Sequence, residues 1–390
     1  MEYNGEFLLF LSILEERSKF EEAFKIVDSV NENNLSRIGQ VDFKVRKKMD
    51  YYKKLKKWSE LRRMSEEYLK APANIDDWLH FIDYLDSLES LLSDKAHQTD
   101  EFIEDVLSFF NLLKSRVENS GEKAQAPYLA RIEFLKRIFK LNEGKSLNLN
   151  VAKFGEALLK EYVGNYVSMF CSKPGFYYDV VYFKDLISTH KLEGFMLDLL
   201  KGLHDEHRPF KSIKSIYTCL SYWQMHRFFG KQSSMSLEEL LRLAHDLEVM
   251  YVEALKYGED LLSTAFQYAD EFVILAVHVR YDVYKRFKDE SNNLLRLVAN
   301  LKQALVHSPS NYQLKLLLLN LYSHLGSYES IQRMYDSMDI KNIQNYSTAN
   351  LLLVHNLRLG ALGASYSTYD RMNQFFTSNL FDTANFLVIF

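Results

Sequence analysis

The amino-acid sequence predicts an all-α fold, an α-solenoid of antiparallel helical hairpins. Three observations carry that expectation. Chain breakers are scarce: 5 Pro and 14 Gly in 390 residues are too few for an all-β chain and suit long helices with short connections. Apolar residues recur at the helical period, and no stretch keeps the clean two-residue alternation of a strand. Near the C-terminal end, paired helical segments repeat at a fixed interval, as stacked hairpins require.

The elements follow in order. Phe7, Phe10, Leu11 and Leu14 stand at i, i+3, i+4 and i+7, one apolar stripe of a helix over 6–14. After a short turn at 15–18, Ala23, Phe24, Ile26, Val27 and Val30 resume the pattern over 20–30, which makes an αα-hairpin. Val45, Met49 and Tyr52, a turn near Lys56, and then Trp58, Leu61, Ser65 and Tyr68 repeat the layout, with Pro72 at its end. Phe20 and Trp58 hold equivalent places, 58 − 20 = 38 residues apart. The middle of the chain predicts helices over 78–92, 101–117, 128–139, 154–170, 183–200, 213–229, 237–256, 260–287 and 294–307, with loops at 119–126, 141–150 and 172–175.

The last units are the most regular. A helix opening at Pro309 carries Leu318, Leu319 and Tyr322 on one face. Gly326 makes the turn, and Ile331, Met334 and Tyr335 line the returning helix. Asn350–Val354, Gly360, Ser365 and Tyr369 restate the pattern, with 360 − 326 = 34 residues between the glycines. A 34-residue period of paired helices, with Gly in the turn and Tyr in the second helix, is the tetratricopeptide signature. The fold class is therefore a tetratricopeptide-like superhelix, although the usual first-helix Trp is missing and Ile331 and Ser365 replace the usual Ala. The expected division is hairpins over 1–72, an irregular helical-repeat solenoid over 73–300, two regular repeats over 301–376, and the start of a truncated helical unit over 377–390. The terminal run Phe386–Phe390 is apolar without a polar cap, which predicts a chain cut in mid-helix and prone to self-associate.

Composition narrows the function. Hydrophobic residues make up 47% and charged residues 26%, which excludes wholesale disorder. The 48 basic and 52 acidic residues give a net charge of −4, so overall charge selects no partner. Two cysteines, Cys171 and Cys219, exclude a disulfide framework and any zinc site of three or four cysteines, and fit a reducing compartment. No secretory leader and no apolar run of membrane-spanning length is present, so no membrane partner and a cytoplasmic location are expected.

Catalytic signals are missing. The sequence has no GxxxxGK[ST], GxGxxG or HExxH pattern. His204 and His207 have the spacing of a helical metal pair but no third strong ligand nearby, and Cys171 has no paired His. The segment Arg358–Ala364 places Ala361 where an acetyl-CoA loop needs its first Gly, and reads as a repeat turn. No catalytic residue, cofactor site or metal site is assigned. The one notable charge feature is Lys44, Arg46, Lys47, Lys48, Lys53, Lys54, Lys56, Lys57, Arg62 and Arg63, ten basic residues against Asp50 and Glu60, interleaved with Tyr51, Tyr52 and Trp58. Such a surface could meet a phosphate backbone without regard to sequence, or be the solvated face of a helical pair.

Five segments, in order along the chain, resemble one family. They are Tyr52-Lys-Lys-Leu-Lys-Lys-Trp58; Asp76-Asp77-Trp78 with Tyr84-Leu85-Asp86-Ser87; Ala126–Arg137; Lys173-Pro174-Gly-Phe-Tyr-Tyr-Asp179; and His307-Ser-Pro-Ser-Asn311 followed by Gln313–Leu318 and Leu325-Gly326. Their order and spacing are similar to those of the auxiliary subunit of the N-terminal acetyltransferase B (NatB) complex. That resemblance implies a non-catalytic scaffold that wraps a small catalytic subunit and anchors it to the ribosome. The partner would carry acetyl-CoA and acetylate nascent chains beginning Met-Asp, Met-Glu, Met-Asn or Met-Gln. The basic run would then be a ribosome or rRNA contact. Members of the family are longer, so a partial chain is expected. The residues by themselves leave open a generic helical-repeat adaptor for other protein partners.

Overall fold

The computed structural model describes residues 4–30, 42–94, 98–121, 123–143, 155–287, 292–341 and 343–388. Every regular element among them is helical. The chain forms two compact units, residues 1–171 with 178–199, and residues 172–177 with 200–390. No helix among the described residues is long and apolar enough to cross a membrane.

The first unit begins with α1 (Asn4–Glu16), α2 (Phe20–Ser29), α3 (Phe43–Lys54) and α4 (Trp58–Leu69), followed by α5 (Trp78–Leu92), α6 (Asp100–Ser120), α7 (Ala126–Glu143) and α8 (Glu156–Phe170). Each of these packs on its neighbours in sequence, except that α5 packs mainly on α4 and α7. Three of the four residues of the predicted stripe close the first core: Phe7, Leu11 and Leu14 of α1 meet Ala23 and Val27 of α2 and Phe43 and Tyr51 of α3, whereas Phe10 is 37% exposed. Then come α9 (Phe176–Tyr182), α10 (Lys184–Thr189) and α11 (Glu193–Glu206).

The second unit contains α12 (Ile213–Phe228), α13 (Leu237–Leu255), α14 (Asp270–Arg286), α15 (Asn292–His307), α16 (Tyr312–His324), α17 (Tyr328–Asp336), α18 (Ile343–Arg358) and α19 (Leu362–Val388). From α13 onward each helix packs on the next. The unit is centred on α14, whose run Phe272–Val277 is buried on all sides, as a helix apolar all round must be. Capping residues set the helix starts. Ser212, Ser236 and Asn311 each accept main-chain N–H groups at the first turn of α12, α13 and α16.

One turn recurs through the chain. Ser18, Lys56, Lys191, Gly326 and Gly360 all have positive φ, between 53° and 73°. The following N–H donates five residues back each time: Lys19 to Leu14 O, Lys57 to Tyr52 O, Leu192 to Ile187 O, Ser327 to Tyr322 O, and Ala361 to Asn356 O, at 2.8–3.0 Å. This is the Schellman motif, and in every instance the next helix starts two residues after the left-handed residue. Five residues after it stands a buried contact: Ala23, Leu61, Met196, Ile331 and Ser365. Only two of the five turns use the residue best suited to them. Replacing Gly326 by Val is expected to destabilise the chain by about 1–2 kcal/mol, and Lys56→Gly to be neutral or stabilising. Urea denaturation of the two variants checks this.

Three expectations change. The segment read as one helix over 183–200 is two, α10 and α11, broken by the left-handed Lys191. The helix expected over 260–287 starts only at Asp270, because 259–269 is a run of turns whose main chain is held by side chains described below. The helix α19 runs without interruption to Val388, with no end near Phe376. Its register also departs from the repeat: Tyr335 is 4% exposed, whereas Tyr369 is 59% exposed and Thr368 is buried instead. Most of the loop expected at 141–150, and the side chains of the run at 386–390, lie outside the described residues.

Candidate functional site

The ten basic residues sit on the hairpin of α3 and α4, but half of them are engaged within the chain. Lys44 donates to the carbonyls of Asp28 and Val30, both at 2.9 Å. Lys47 pairs with Glu15 and Lys48 with Asp28, each at 2.7 Å. Lys53 lies between Asp83 and Asp86. Arg62 pairs with Glu66 at 2.9 Å and with Asp105. These five therefore add little to a free cationic surface. Arg46, Lys54, Lys56, Lys57 and Arg63 are exposed and have no ion pair among the described residues. Three of them, Lys54, Lys56 and Lys57, cluster at the Schellman turn.

Of the interleaved aromatics, Tyr51 and Tyr52 pack against neighbouring helices and Trp58 is half-buried. Tyr51 is 2% exposed and donates its hydroxyl to Glu15 Oε1 at 2.6 Å. Burial and the Glu15 carboxylate push its phenol well above the usual range. Tyr52 packs on Phe24 with ring centroids 5.0 Å apart. The Tyr51 and Tyr52 rings hold one hairpin to the other and are not offered as a stacking platform for bases. Alternation of Lys and Tyr in sequence cannot separate the two roles, because a helix sends neighbouring residues to different faces.

Residues far apart in sequence are brought together at three further places. The first is an ion-pair network joining three of the five segments. Lys53 reaches Asp86 at 2.8 Å, and Asp86 accepts from Arg137 at 2.8 Å. Arg137 also meets Glu89 and Glu133, each at 3.1 Å. Arg137 is 16% exposed in its side chain, while Asp86 and Glu89 are 34% and 37% exposed, so the bonds between α3, α5 and α7 lie at a partly solvated edge.

The second place is a cavity of about 440 Å³ in the first unit, next to the N-terminus of α7. Asp76, from the turn before α5, accepts the Ala126 main-chain N–H at 2.8 Å. Asp179, in α9, accepts from the Gln125 amide at 3.1 Å and from the Tyr166 hydroxyl. Burial and Asp179 together keep that phenol protonated, so it remains a donor. Trp78, Tyr178, Tyr182 and Phe183 supply the aromatic walls. Segments quoted above as 76–78, 126–137 and 173–179 thus meet at one opening.

The third place, in the second unit, explains His307–Asn311. Ser308 Oγ accepts the Gln267 N–H at 2.9 Å, and Asn311 Nδ2 donates to Asp270 Oδ2 at 2.7 Å. All of Ser308, Asn311 and Asp270 are buried. Burial raises the Asp270 carboxyl, and the Ser308 and Asn311 donors oppose that. The knot pins the turns of 259–269 against the start of α16. It is structural, and no sequence period announces it.

The His204 and His207 pair is not convergent. His204 Nδ1 lies 3.0 Å from Asp205 Oδ1, and its ring packs on Tyr222 and Trp223 at centroid distances of 5.2 and 5.7 Å. Burial lowers its pKa. His207 Nδ1 is 2.8 Å from the Leu203 carbonyl. No group of three His, Cys, Asp or Glu able to hold a metal occurs among the described residues. Cys171 and Cys219 are both buried.

The sequence matches a family model described as "N-acetyltransferase B complex (NatB) non catalytic subunit" over residues 78–389. It is 28% identical to a mouse protein named "N-alpha-acetyltransferase 25, NatB auxiliary subunit", over 100% of this chain and 40% of that protein. The human protein of the same name is 27% identical over the same shares. A protein of Aedes aegypti named "Phagocyte signaling-impaired protein" is 28% identical over 97% of this chain and 39% of its own length. The chain therefore spans about two fifths of the curated relatives it matches. With the matched stretch covering α5 to α19 in full, the chain belongs to the family of non-catalytic subunits of the N-acetyltransferase B (NatB) complex.

Proposed function

We propose that this chain is part of a non-catalytic scaffold of NatB, which holds a small acetyltransferase subunit and brings it to the ribosome. Catalysis then lies wholly in the partner, which uses acetyl-CoA to acetylate nascent N-termini beginning Met-Asp, Met-Glu, Met-Asn or Met-Gln. The observation that carries the reading is the family match along residues 78–389, reinforced by relatives named as NatB auxiliary subunits that align with the whole chain. A stack of hairpins also suits the task, because an extended array offers a long surface to one partner. In this reading the hairpins over 1–72 and the regular repeats from 301 onward are tetratricopeptide-like, with an irregular stretch between them, and the last helix runs on through the boundary expected at 376. The complex works in the cytoplasm, where nascent chains emerge.

The ribosome contact belongs to the exposed cations of the α3–α4 hairpin, Arg46, Lys54, Lys56, Lys57 and Arg63. They can neutralise rRNA phosphates, whereas Lys44, Lys47, Lys48, Lys53 and Arg62 serve the fold. Co-expression of the chain with the catalytic subunit of NatB tests the scaffold reading. A stable complex on size-exclusion chromatography is expected. Separate elution of the two chains at micromolar concentration would favour a generic adaptor.

A further inference from the structure

We propose that Ser59, at the start of α4, is a phosphorylation site for a protein kinase that selects basic residues, and that its phosphate weakens the ribosome contact of the α3–α4 turn. The effect on binding rests on the ribosome reading given above; the modification itself does not. Only two Ser or Thr residues in the sequence have Lys or Arg at both the third and the second position before them. They are Ser59, behind Lys56-Lys57-Trp58, and Ser65, behind Arg62-Arg63-Met64. Two cations at that spacing suit acidic pockets beside a kinase's catalytic centre, and charge patterns of this kind set kinase–substrate pairing.

The fold separates the two. Ser65 is 0% exposed, and in its motif Arg62 is tied to Glu66 and Asp105. Ser59 is exposed, and its hydroxyl makes no hydrogen bond among the described residues. By contrast, Ser12, Ser29 and Ser120, further along their helices, each donate to a main-chain carbonyl three residues back. Both recognition lysines are exposed and precede the helix: Lys56 has φ 56°, and Lys57 has φ −86° and ψ 69°. Helix α4 then opens with no side-chain cap. A kinase therefore has to lift only the first turn to draw residues 56–60 into an extended form, and helix ends open at small cost.

In the transfer the Ser59 Oγ bonds to the γ-phosphorus of ATP as the bond to the β-phosphate oxygen breaks. ADP leaves, and the hydroxyl proton passes to the kinase's catalytic carboxylate. The product carries about −1.5 to −2 charges at neutral pH. Lys54, Lys56, Lys57 and Arg63 flank it in sequence, with Glu60 as the opposing charge. Arg63 follows four residues on and so stands on the same face of α4, one turn away. The phosphate thus neutralises about half of the excess positive charge of the turn and draws these side chains towards itself. Fewer cations are left to displace counterions from rRNA, so the affinity and its salt dependence both fall.

Incubation of the whole chain with cyclic-AMP-dependent protein kinase and magnesium ATP, read by mass spectrometry, tests the site. A synthetic peptide of residues 54–67, too short to hold a helix in water, is the control and should take phosphate at both serines. The folded chain should take it at Ser59 and not at Ser65, and Ser59→Ala should take none in this segment. Phosphate on Ser65 of the folded chain, or Ser59 left unmodified in the peptide or in the chain, would overturn the assignment. In ribosome co-sedimentation at low salt the phosphorylated chain should bind about tenfold more weakly than the untreated one. Kinase treatment should leave the binding of Ser59→Ala unchanged. Equal binding before and after phosphorylation of Ser59 would overturn the switch and leave the ribosome contact standing. An untreated chain that fails to sediment with ribosomes at any salt would overturn the contact, and the switch with it, while the site stands or falls on the mass spectrum.

Discussion

Replacing Glu248 by Ala is expected to destabilise the second unit by about 3–5 kcal/mol, the cost of leaving a buried charge without its partner. The charge is Arg280, whose side chain is 4% exposed. Its Nε and Nη2 donate to the two oxygens of Glu248 at 2.6 and 2.9 Å, a bidentate pair. Asn300 donates to the same carboxylate at 2.7 Å, and Arg296 approaches it at 3.4 Å. One carboxylate on α13 thus binds α14 and α15 together. Burial raises the Glu248 pKa, but Arg280 and the other donors outweigh it, and the net shift is downward. A lowered folded pKa means stability that is present above the ordinary value of 4.5 and is lost as pH falls through the folded value. Wild type should therefore lose stability on acidification below that range, and Glu248→Ala should lack this component. Urea denaturation followed by circular dichroism measures both. The double variant Glu248→Leu/Arg280→Met should lose much less than Glu248→Ala, because no charge remains to be stranded.

Reversing Lys54, Lys56 and Lys57 to Glu is expected to flatten the salt dependence of ribosome co-sedimentation. Each phosphate contact contributes somewhat under one unit to the slope of log affinity against log salt, so three lost contacts should remove about 2–3 units. Helicity should be unchanged, since these side chains are exposed and bond to nothing described. Lys53 is left out deliberately. Lys53→Glu would set a third carboxylate against Asp83 and Asp86 and damage the fold, whatever it did to the ribosome. An unchanged slope in the folded triple variant would remove the hairpin from the ribosome contact.

The helices were legible wherever an apolar stripe met a recognisable stop. The helix expected over 78–92 is α5 to the residue, with Asp77 accepting the Leu79 and His80 N–H groups at its start. Gly326 and Gly360 announced their turns because glycine takes a left-handed conformation without strain. Lys191 makes the same turn with no such mark, so α10 and α11 merged into one expected helix. The turns of 259–269 were missed for a related reason. Their support comes from Ser308 and Asn311, some forty residues downstream, and helical periodicity carries no information about such partners. The candidate site was legible only in part. The sequence located the cations, but their pairing with Glu15, Asp28, Asp83, Asp86 and Asp105 depends on which helices stack. The ordered segments pointed to the right family, and the network through Arg137 and the cavity at Asp76 and Asp179 supply a physical reason why those segments go together.

The most direct test of the central claim is an acetyl-transfer assay with acetyl-CoA and a peptide beginning Met-Asp. It compares three samples: the purified chain, the catalytic subunit of NatB, and the two together. No transfer by the chain is expected at any concentration, and faster transfer by the mixture than by the catalytic subunit on its own. Transfer by the chain in the absence of a partner would contradict a non-catalytic role, and a mixture no faster than the catalytic subunit would contradict a scaffold that acts on it.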